Sequence, residues 1–141
     1  MSAEIAILTP VVTLVAWTMV MWAWMYKSRI PAIINLRIKL DRNRPITDLT
    51  SQLPPEVRWK GENYNHLMEQ PTIFYAVSLA LALLGEGNEL NLYLAWAYVV
   101  LRVIHSLVQS LGNNIRYRFY VFTLSNIPLV WLTVNALLAV Y

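Results

Sequence analysis

The residue types best suited to chemistry in this chain lie inside one apolar stretch. Arg102 stands within Leu90–Leu111, which is long enough to cross a membrane. Four polar residues share its helical face, at offsets of 3, 4, 7 and 11 positions: His105, Ser106, Gln109 and Asn113. A guanidinium in hydrocarbon costs about 3 kcal/mol or more unless it finds a partner or water. The stripe therefore predicts a polar site inside the protein.

A second polar stripe comes just before Pro71. Its members share one helical face, at offsets of 3, 4 and 7 positions: Glu62, Asn65, His66 and Glu69. A proline removes one intrahelical hydrogen bond and tends to bend the helix that contains it. We expect this bend to open space beside the Glu69 carboxylate.

The two stripes predict a contact between Glu69 and Arg102. If their helices are antiparallel around the turn Gly85–Asn91, with its centre at residue 88, Glu69 lies level with residue 107. That is about five residues, or roughly 7 Å, from Arg102 along the helix axis. We predict that the two side chains either form an ion pair or hold one polar ligand together. The alternative is an ion pair that only fixes the helix register.

Several other chemistries are excluded. The chain has no Cys, which rules out disulfides, thiolate metal sites and cysteine nucleophiles. It also lacks the sequence patterns of zinc proteases, phosphate-binding loops and serine hydrolases. His66, His105 and Glu69 lack the spacing of a metal-ligand set. We therefore predict no metal site.

The elements that position these residues are membrane spans. Hydrophobic residues make up 57% of the chain and charged residues 13%, against roughly 25% charged in ordinary globular proteins. The sequence predicts a single, all-α, integral membrane domain over residues 1–141, folded as a four-transmembrane-helix bundle. The spans cover about residues 5–26, 67–84, 90–111 and 119–141. Pro54 and Pro55 predict that the second helix begins before its span.

The distribution of charge predicts the orientation of these spans. Ten of the eleven Lys and Arg residues lie in two connections, the loop of about residues 27–60 and the turn that holds Arg116 and Arg118. By the positive-inside rule, these connections are cytoplasmic and both termini lie outside. Because this arrangement accounts for the basic net charge, we expect contact with membrane lipid and none with nucleic acid.

Two segments resemble one family, the MAPEG proteins (membrane-associated proteins in eicosanoid and glutathione metabolism). The run Asn63–Tyr75 (NYNHLMEQPTIFY) resembles the family's second-helix signature. Leu101–Leu107 (LRVIHSL), followed by Arg116–Phe119 (RYRF), resembles its third-helix motif and the start of the fourth helix. The pattern is most similar to the bacterial branch, which implies the inner (plasma) membrane. The resemblance also implies a left-handed bundle, a homotrimer, and glutathione bound as cosubstrate between subunits.

The resemblance also implies roles for individual residues. Arg118 matches the arginine that stabilises the glutathione thiolate in catalytic members, so it is the catalytic candidate. The predicted glutathione-binding residues are Asn63, Asn65, Glu69, Arg102, His105, Gln109 and Arg116, with Asn63 and Asn65 as alternatives for the second-helix Asn. The chain departs from the family at two positions. Where the eukaryotic transferases have an Arg, this chain has Gly61 or Trp59, and Arg58 or Lys60 could take the role of that Arg. Where several members have a Tyr, this chain has Gln109.

Two functions are open on the sequence alone. The first is a glutathione transferase or peroxidase that acts on apolar electrophiles or lipid hydroperoxides entering from the bilayer. The second is a non-catalytic module, either a lipid-binding trimer or an accessory subunit of a larger membrane complex. Gly61 and Gln109 favour the second function, whereas Arg116 and Arg118 favour the first.

Overall fold

The computed structural model describes residues 3–141, with side chains described from Ile5 onward. These residues form seven α-helices and no strand. In chain order the helices are α1 (Ala3–Ala6), α2 (Leu8–Asn35), α3 (Ile46–Ser51), α4 (Pro55–Glu69), α5 (Pro71–Leu83), α6 (Glu89–Leu111) and α7 (Ile115–Val140).

The first long helix extends well beyond its predicted span. The apolar pattern ends near Tyr26, but α2 continues to Asn35 with Pro31 inside it. It ends where Arg37 adopts a left-handed backbone (φ 52°) and the Ile38 N–H donates to the Ile33 carbonyl over 3.1 Å. This is the hydrogen bonding of a helix C-cap. The prediction of a loop that starts at residue 27 was therefore wrong, because helix formation does not end with hydrophobicity.

The second predicted helix is interrupted at Gln70. It begins at Pro55, as predicted from Pro54 and Pro55. It passes into α5 at Pro71, and Gln70 keeps helical backbone angles (φ −60°, ψ −38°). The interruption is therefore a local loss of hydrogen bonding at the proline and not a turn of the chain.

The last two helices begin at asparagine caps. The Asn88 side chain accepts a hydrogen bond from the Asn91 N–H, and the Asn114 side chain accepts one from the Tyr117 N–H. Such caps satisfy backbone donors that a helix start leaves without a partner. The fourth helix consequently begins earlier than its predicted span, and Arg116 and Arg118 lie in its first turn, not in a connection.

The long helices pack side by side around an apolar core. Helix α2 contacts α4, α5 and α6, and α7 contacts α5 and α6. Phe74 of α5 stacks on Tyr98 of α6 with ring centroids 4.5 Å apart, and Leu14, Met21 and Leu132 are buried nearby. Among the described residues, three helices are long and apolar enough to cross a membrane: α2, α6 and α7. Helix α5 has only 13 residues, so the second crossing stays a prediction.

Candidate functional site

The polar stripe of α6 faces the interior of the chain, as its spacing predicted. Arg102 is 0% exposed, and His105, Ser106 and Gln109 are also buried. Asn113 lies just after the helix and is partly buried. The chain therefore encloses a line of polar groups between otherwise apolar helices.

Arg102 is buried without a charged partner. Its Nη2 atom donates to the His66 carbonyl of α4 over 3.1 Å, while Nε and Nη1 have no hydrogen-bond partner among the described residues. Its guanidinium carbon lies 5.6 Å from the centroid of the Phe122 ring. A cation–π contact of this kind offsets only part of the cost of burying a charge. The guanidinium thus keeps two nitrogen atoms, Nε and Nη1, whose N–H groups are available to a further acceptor.

Glu69 does not pair with Arg102, so the predicted direct ion pair was wrong. Its side chain is 66% exposed, and its Oε2 lies 3.4 Å from Nδ1 of His66. Across the described part of the chain, the other ion pair within 4.0 Å joins Asp41 and Arg44. The alternative, in which Glu69 and Arg102 contact one ligand, stays a prediction.

The cause of this error is the side of α4 from which Glu69 projects: its side chain is 66% exposed, although the observed register brings its backbone nearer to the level of Arg102 than predicted. Asn63 bonds Ser106, His66 bonds Arg102, and Gln70 bonds Tyr98. These pairs place Glu69 level with about residue 99, not with residue 107. Part of the difference arises because α5 ends at Leu83 and α6 begins at Glu89, which puts the middle of the connection near residue 86.

The two asparagine candidates lie on opposite sides of α4. Asn63 is buried, and its Nδ2 donates to Ser106 Oγ over 2.6 Å, while its Oδ1 has no partner among the described residues. Asn65 is exposed, as are Glu62 and Glu69. Asn63 is therefore the asparagine that meets the α6 stripe. Three members of the second stripe, Glu62, Asn65 and Glu69, face outward, whereas His66 is partly buried.

A cavity of about 320 Å³ lies beside the buried group and includes His105 in its lining. It opens between α4, α6 and α7, and its walls combine a cation and imidazoles with apolar side chains. The lining residues are His66, His105, Ile115, Arg118, Phe119 and Phe122. Ligand sites have volumes of roughly 300–1,000 Å³ and few polar groups on apolar walls. The cavity has the size and character of a small binding site.

Arg118 is held at the edge of this cavity. Its Nη1 donates to Asn113 Oδ1 over 2.5 Å, and its Nε has no hydrogen-bond partner among residues 3–141. Asn113 has a positive φ of 47°, a conformation that Asn tolerates better than most residues. The turn between α6 and α7 thus positions a guanidinium that has N–H donors still available.

Two imidazoles form the inner wall of the cavity. The rings of His66 and His105 lie 5.8 Å apart, and each lies near Phe122. Burial lowers the pKa of His66, and the neighbouring Glu69 opposes that shift only in part. The His66 ring is therefore neutral at pH 7 and can both donate and accept hydrogen bonds.

The structure does not bring all the predicted residues together. Asn63, Arg102, His105 and Gln109 form one buried group, and the Oε1 of Gln109 lacks a partner in the described chain. Arg118 lines the adjacent cavity. By contrast, Asn65, Glu69 and Arg116 are exposed outside both the buried group and the cavity lining.

The sequence reasoning missed one cation near this group. Arg29 of α2 lies directly over Gly61 of α4: a Cβ at Gly61 would overlap the guanidinium, with Arg29 Cζ at 3.2 Å. The substitutes suggested by the sequence are placed differently. Lys60 lies over the Trp24 ring at 5.2 Å, and Arg58 is partly buried. A glycine within a helix, facing a neighbouring helix, was the signal of this close approach.

Amides connect the helices beside the site. Gln70 bonds Asn126 of α7 and also accepts a hydrogen bond from the Tyr98 hydroxyl of α6 over 3.3 Å. At the opposite end, Asn135 donates to Asn91 over 2.6 Å. Asn126 and Asn135 therefore join helices, as amides in apolar spans commonly do. No group of three His, Asp or Glu side chains in residues 3–141 is arranged to hold a metal ion.

This is an integral membrane protein. Its class follows from three long apolar helices and from the outward apolar side chains of α7, such as Ile127 and Trp131. The chain belongs to the MAPEG family, whose profile matches residues 7–138 of its 141 residues. Searches of the curated proteins and of the solved structures gave no significant match.

Proposed function

We propose that this protein binds glutathione in the cavity between α4, α6 and α7. It joins the glutathione sulfur to apolar electrophiles as their leaving group departs, or it reduces lipid hydroperoxides to alcohol and water while two glutathione molecules form one disulfide. The observation that carries the proposal is a set of polar atoms without partners in the described chain, some in the cavity lining and some in the buried group beside it. They include Nε and Nη1 of Arg102, Nε of Arg118 and Nδ1 of His105. Buried polar groups almost always have partners, so a group of exceptions indicates a ligand.

The donors fit the chemistry of glutathione, a tripeptide with two carboxylates, one ammonium group and one thiol. Guanidinium groups bind carboxylates strongly. Arg102 offers the N–H groups of two nitrogen atoms, and Arg29 adds another cation from α2 beside Gly61. The exposed carboxylates Glu62 and Glu69 lie on the adjacent face of α4 and suit the ammonium group.

Arg118 has the role of activating the thiol in this proposal. Free thiols have a pKa near 8.5 and are mostly protonated at neutral pH, and a guanidinium beside the sulfur favours the thiolate nucleophile. Asn113 fixes the orientation of Arg118 before a ligand arrives, so little reorganisation is needed. The apolar walls at Phe119 and Phe122 would accept an electrophile from the bilayer.

We further propose that the complete site requires a homotrimer of four-transmembrane-helix bundles. The cavity opens at the surface of the chain, next to the outward stripe of α4. A neighbouring subunit against this face would cover the cavity and bury Asn65 and Glu69 beside the ligand. We place the protein in a bacterial inner membrane, in contact with lipid, with the loop after α2 in the cytoplasm and both termini outside.

One observation favours the second candidate function, a non-catalytic lipid-binding or accessory subunit of a larger membrane complex. Arg102 and Asn63 already bond other helices of the same chain, through His66 and Ser106. In that function, the polar stripe serves helix packing alone, and glutathione has no site.

Thermal unfolding of the full-length protein in detergent, titrated with glutathione, tests the proposal. Saturable stabilisation is expected at millimolar glutathione, because a ligand that binds only the folded state raises the midpoint of unfolding. Absence of any shift would contradict glutathione binding and favour the accessory function.

Arg118→Gln separates binding from chemistry. We expect it to retain glutathione-dependent stabilisation but to lower the transfer rate about 100-fold, since one charge-stabilising donor is lost. The thiolate absorbance of bound glutathione should also appear at higher pH. Arg118→Lys should restore part of the transfer rate and part of the shift in the pH at which the thiolate absorbs. The control is Lys27→Gln, which removes one positive charge at an exposed position. Equal rates in Arg118→Gln and Lys27→Gln would exclude the role of Arg118.

A further inference from the structure

The segment that follows α2 encloses a second cavity, of about 520 Å³, which the glutathione site does not use. It lies between the end of α2 and the short helix α3. Cations are the most frequent members of its polar lining, which consists of Arg37, Lys39, Asp41, Arg42, Arg44, Asp48 and Gln52.

The cations of this cavity are only partly neutralised. Asp41 accepts a hydrogen bond from the Asn43 N–H over 2.9 Å and lies 3.7 Å from Nε of Arg44. Among the side chains described from Ile5 onward, no carboxylate lies within 4.0 Å of Arg37, Lys39 or Arg42. Three positive side chains therefore converge on one cavity in which only Asp48 remains as a further negative charge.

Exposed apolar side chains surround the same cavity. Leu40 and Ile46 line it and are among the most exposed aliphatic residues of the chain, and Leu36 is exposed beside it. In water this arrangement would be costly, because three aliphatic side chains stay hydrated. It suits a membrane surface, where aliphatic side chains enter the acyl region and cations meet the headgroups.

The position of the segment agrees with such a surface. It follows directly from α2, whose length and composition suit a membrane crossing. The left-handed residue Arg37 turns the chain away from the axis of α2. Charged side chains after a span meet the headgroup layer, and each Lys or Arg near an anionic surface contributes about 1 kcal/mol to binding.

We propose that the cavity between α2 and α3 is a binding site for the phosphate of an anionic phospholipid in the adjacent leaflet. Arg37, Lys39 and Arg42 contact the phosphate, while Leu40 and Ile46 enter the acyl region beside it. A free phosphate ion shares the chemistry of the headgroup, but the exposed apolar rim has a function only with a lipid.

Native mass spectrometry of the full-length protein in detergent, with phosphatidylglycerol or phosphatidylcholine added, tests this site. We expect preferential retention of phosphatidylglycerol. Lys39→Gln and Arg42→Gln should each weaken its apparent affinity about fivefold, as the loss of one cation predicts. The matched control is Lys27→Gln, which removes an equally exposed charge on α2 outside the cavity.

Each result has a defined meaning. Equal retention of the two lipids would overturn the proposal, as would equal weakening in Lys27→Gln and Lys39→Gln, which would show diffuse charge attraction. Inorganic phosphate is a separate arm of the experiment. If it raises the midpoint of thermal unfolding as much as phosphatidylglycerol does, and Lys39→Gln abolishes both effects, the ligand is a soluble phosphate and the lipid assignment is wrong.

Discussion

The inner face of α6 and the outer face of α4 carry similar polar residues in opposite environments. Arg102, His105 and Gln109 are enclosed by the chain, whereas Asn65 and Glu69 are exposed. Both faces have helical spacing and both include a titratable group. The two faces differ in the number of polar atoms without hydrogen-bond partners. The inner face contains several such atoms. The polar atoms of the outer face can form hydrogen bonds with water or lipid headgroups.

This difference indicates that the polar residues of the inner face lower the stability of the chain more than those of the outer face. A buried guanidinium with one hydrogen bond is costly to keep. An exposed carboxylate next to a histidine costs little and contributes little. If the Arg102 atoms without partners exist to bind a ligand, substitution of Arg102 should favour stability and abolish binding. If Arg102 exists for packing, substitution should damage the fold. The predictions below separate these outcomes.

The largest effect is expected for Arg102→Met. Methionine preserves much of the volume and removes a charge that lacks a charged partner, so the ligand-free protein should gain about 1–4 kcal/mol in its free energy of unfolding. Glutathione-dependent stabilisation should disappear at the same time. Thermal unfolding in detergent, with and without glutathione, measures both. A destabilised protein would instead show that Arg102 serves packing through its bond to His66.

A matched pair on α4 compares the two faces directly. Asn63→Leu removes the donor to Ser106 and leaves a buried hydroxyl without its partner, which should destabilise the protein by about 1–3 kcal/mol. Asn65→Leu changes an exposed position and should alter stability by less than about 0.5 kcal/mol in separated chains. Equal losses in the two variants would mean that the outer face is buried in the assembled protein.

The sequence predicted the inner face well because periodicity is a local property. The offsets after Arg102 define one side of a helix whatever the helix packs against, and the structure buries that side. The start of α4 at Pro55 was similarly local, since the proline ring fixes it.

The pairing between helices was not predictable in the same way. The register of α4 against α6 depends on how the connection after α5 folds and on how the helices tilt, and neither has a local sequence signal. The observed register places Gln70 against Tyr98, and Glu69 projects from the exposed side of α4. The approach of Arg29 to Gly61 involves two helices far apart in sequence, so only the glycine marked it.

Gly61→Ala tests that approach. Alanine should raise the helix propensity of α4, which would increase the free energy of unfolding by about 1 kcal/mol at most. Its Cβ, however, requires the Arg29 guanidinium to move. Because the far end of an arginine is flexible, we expect the net change in stability to stay below that value. Glutathione affinity should fall severalfold if Arg29 contacts the ligand. The variant Arg29→Gln should cause the same loss, and unchanged affinity in both would exclude Arg29 from the site.

The smallest effect concerns the outer face and its pH dependence. Burial lowers the pKa of His66 in the folded state, and Glu69 opposes that shift. The unfolded chain therefore takes up a proton first as the pH falls below about 6.5. Stability is unaffected above that pH and decreases through the range below it, until His66 is also protonated in the folded state.

Glu69→Gln should deepen this acid-dependent loss, because the carboxylate no longer favours the protonated ring 3.4 Å away. The change should remain below about 0.5 kcal/mol, since the pair is largely exposed. Midpoints of thermal unfolding between roughly pH 5 and 7.5, where His residues titrate, measure it. In a His66→Gln background, the Glu69→Gln substitution should no longer alter the pH dependence. A larger effect that persists without His66 would mean that Glu69 contacts another cation, such as one from a neighbouring subunit.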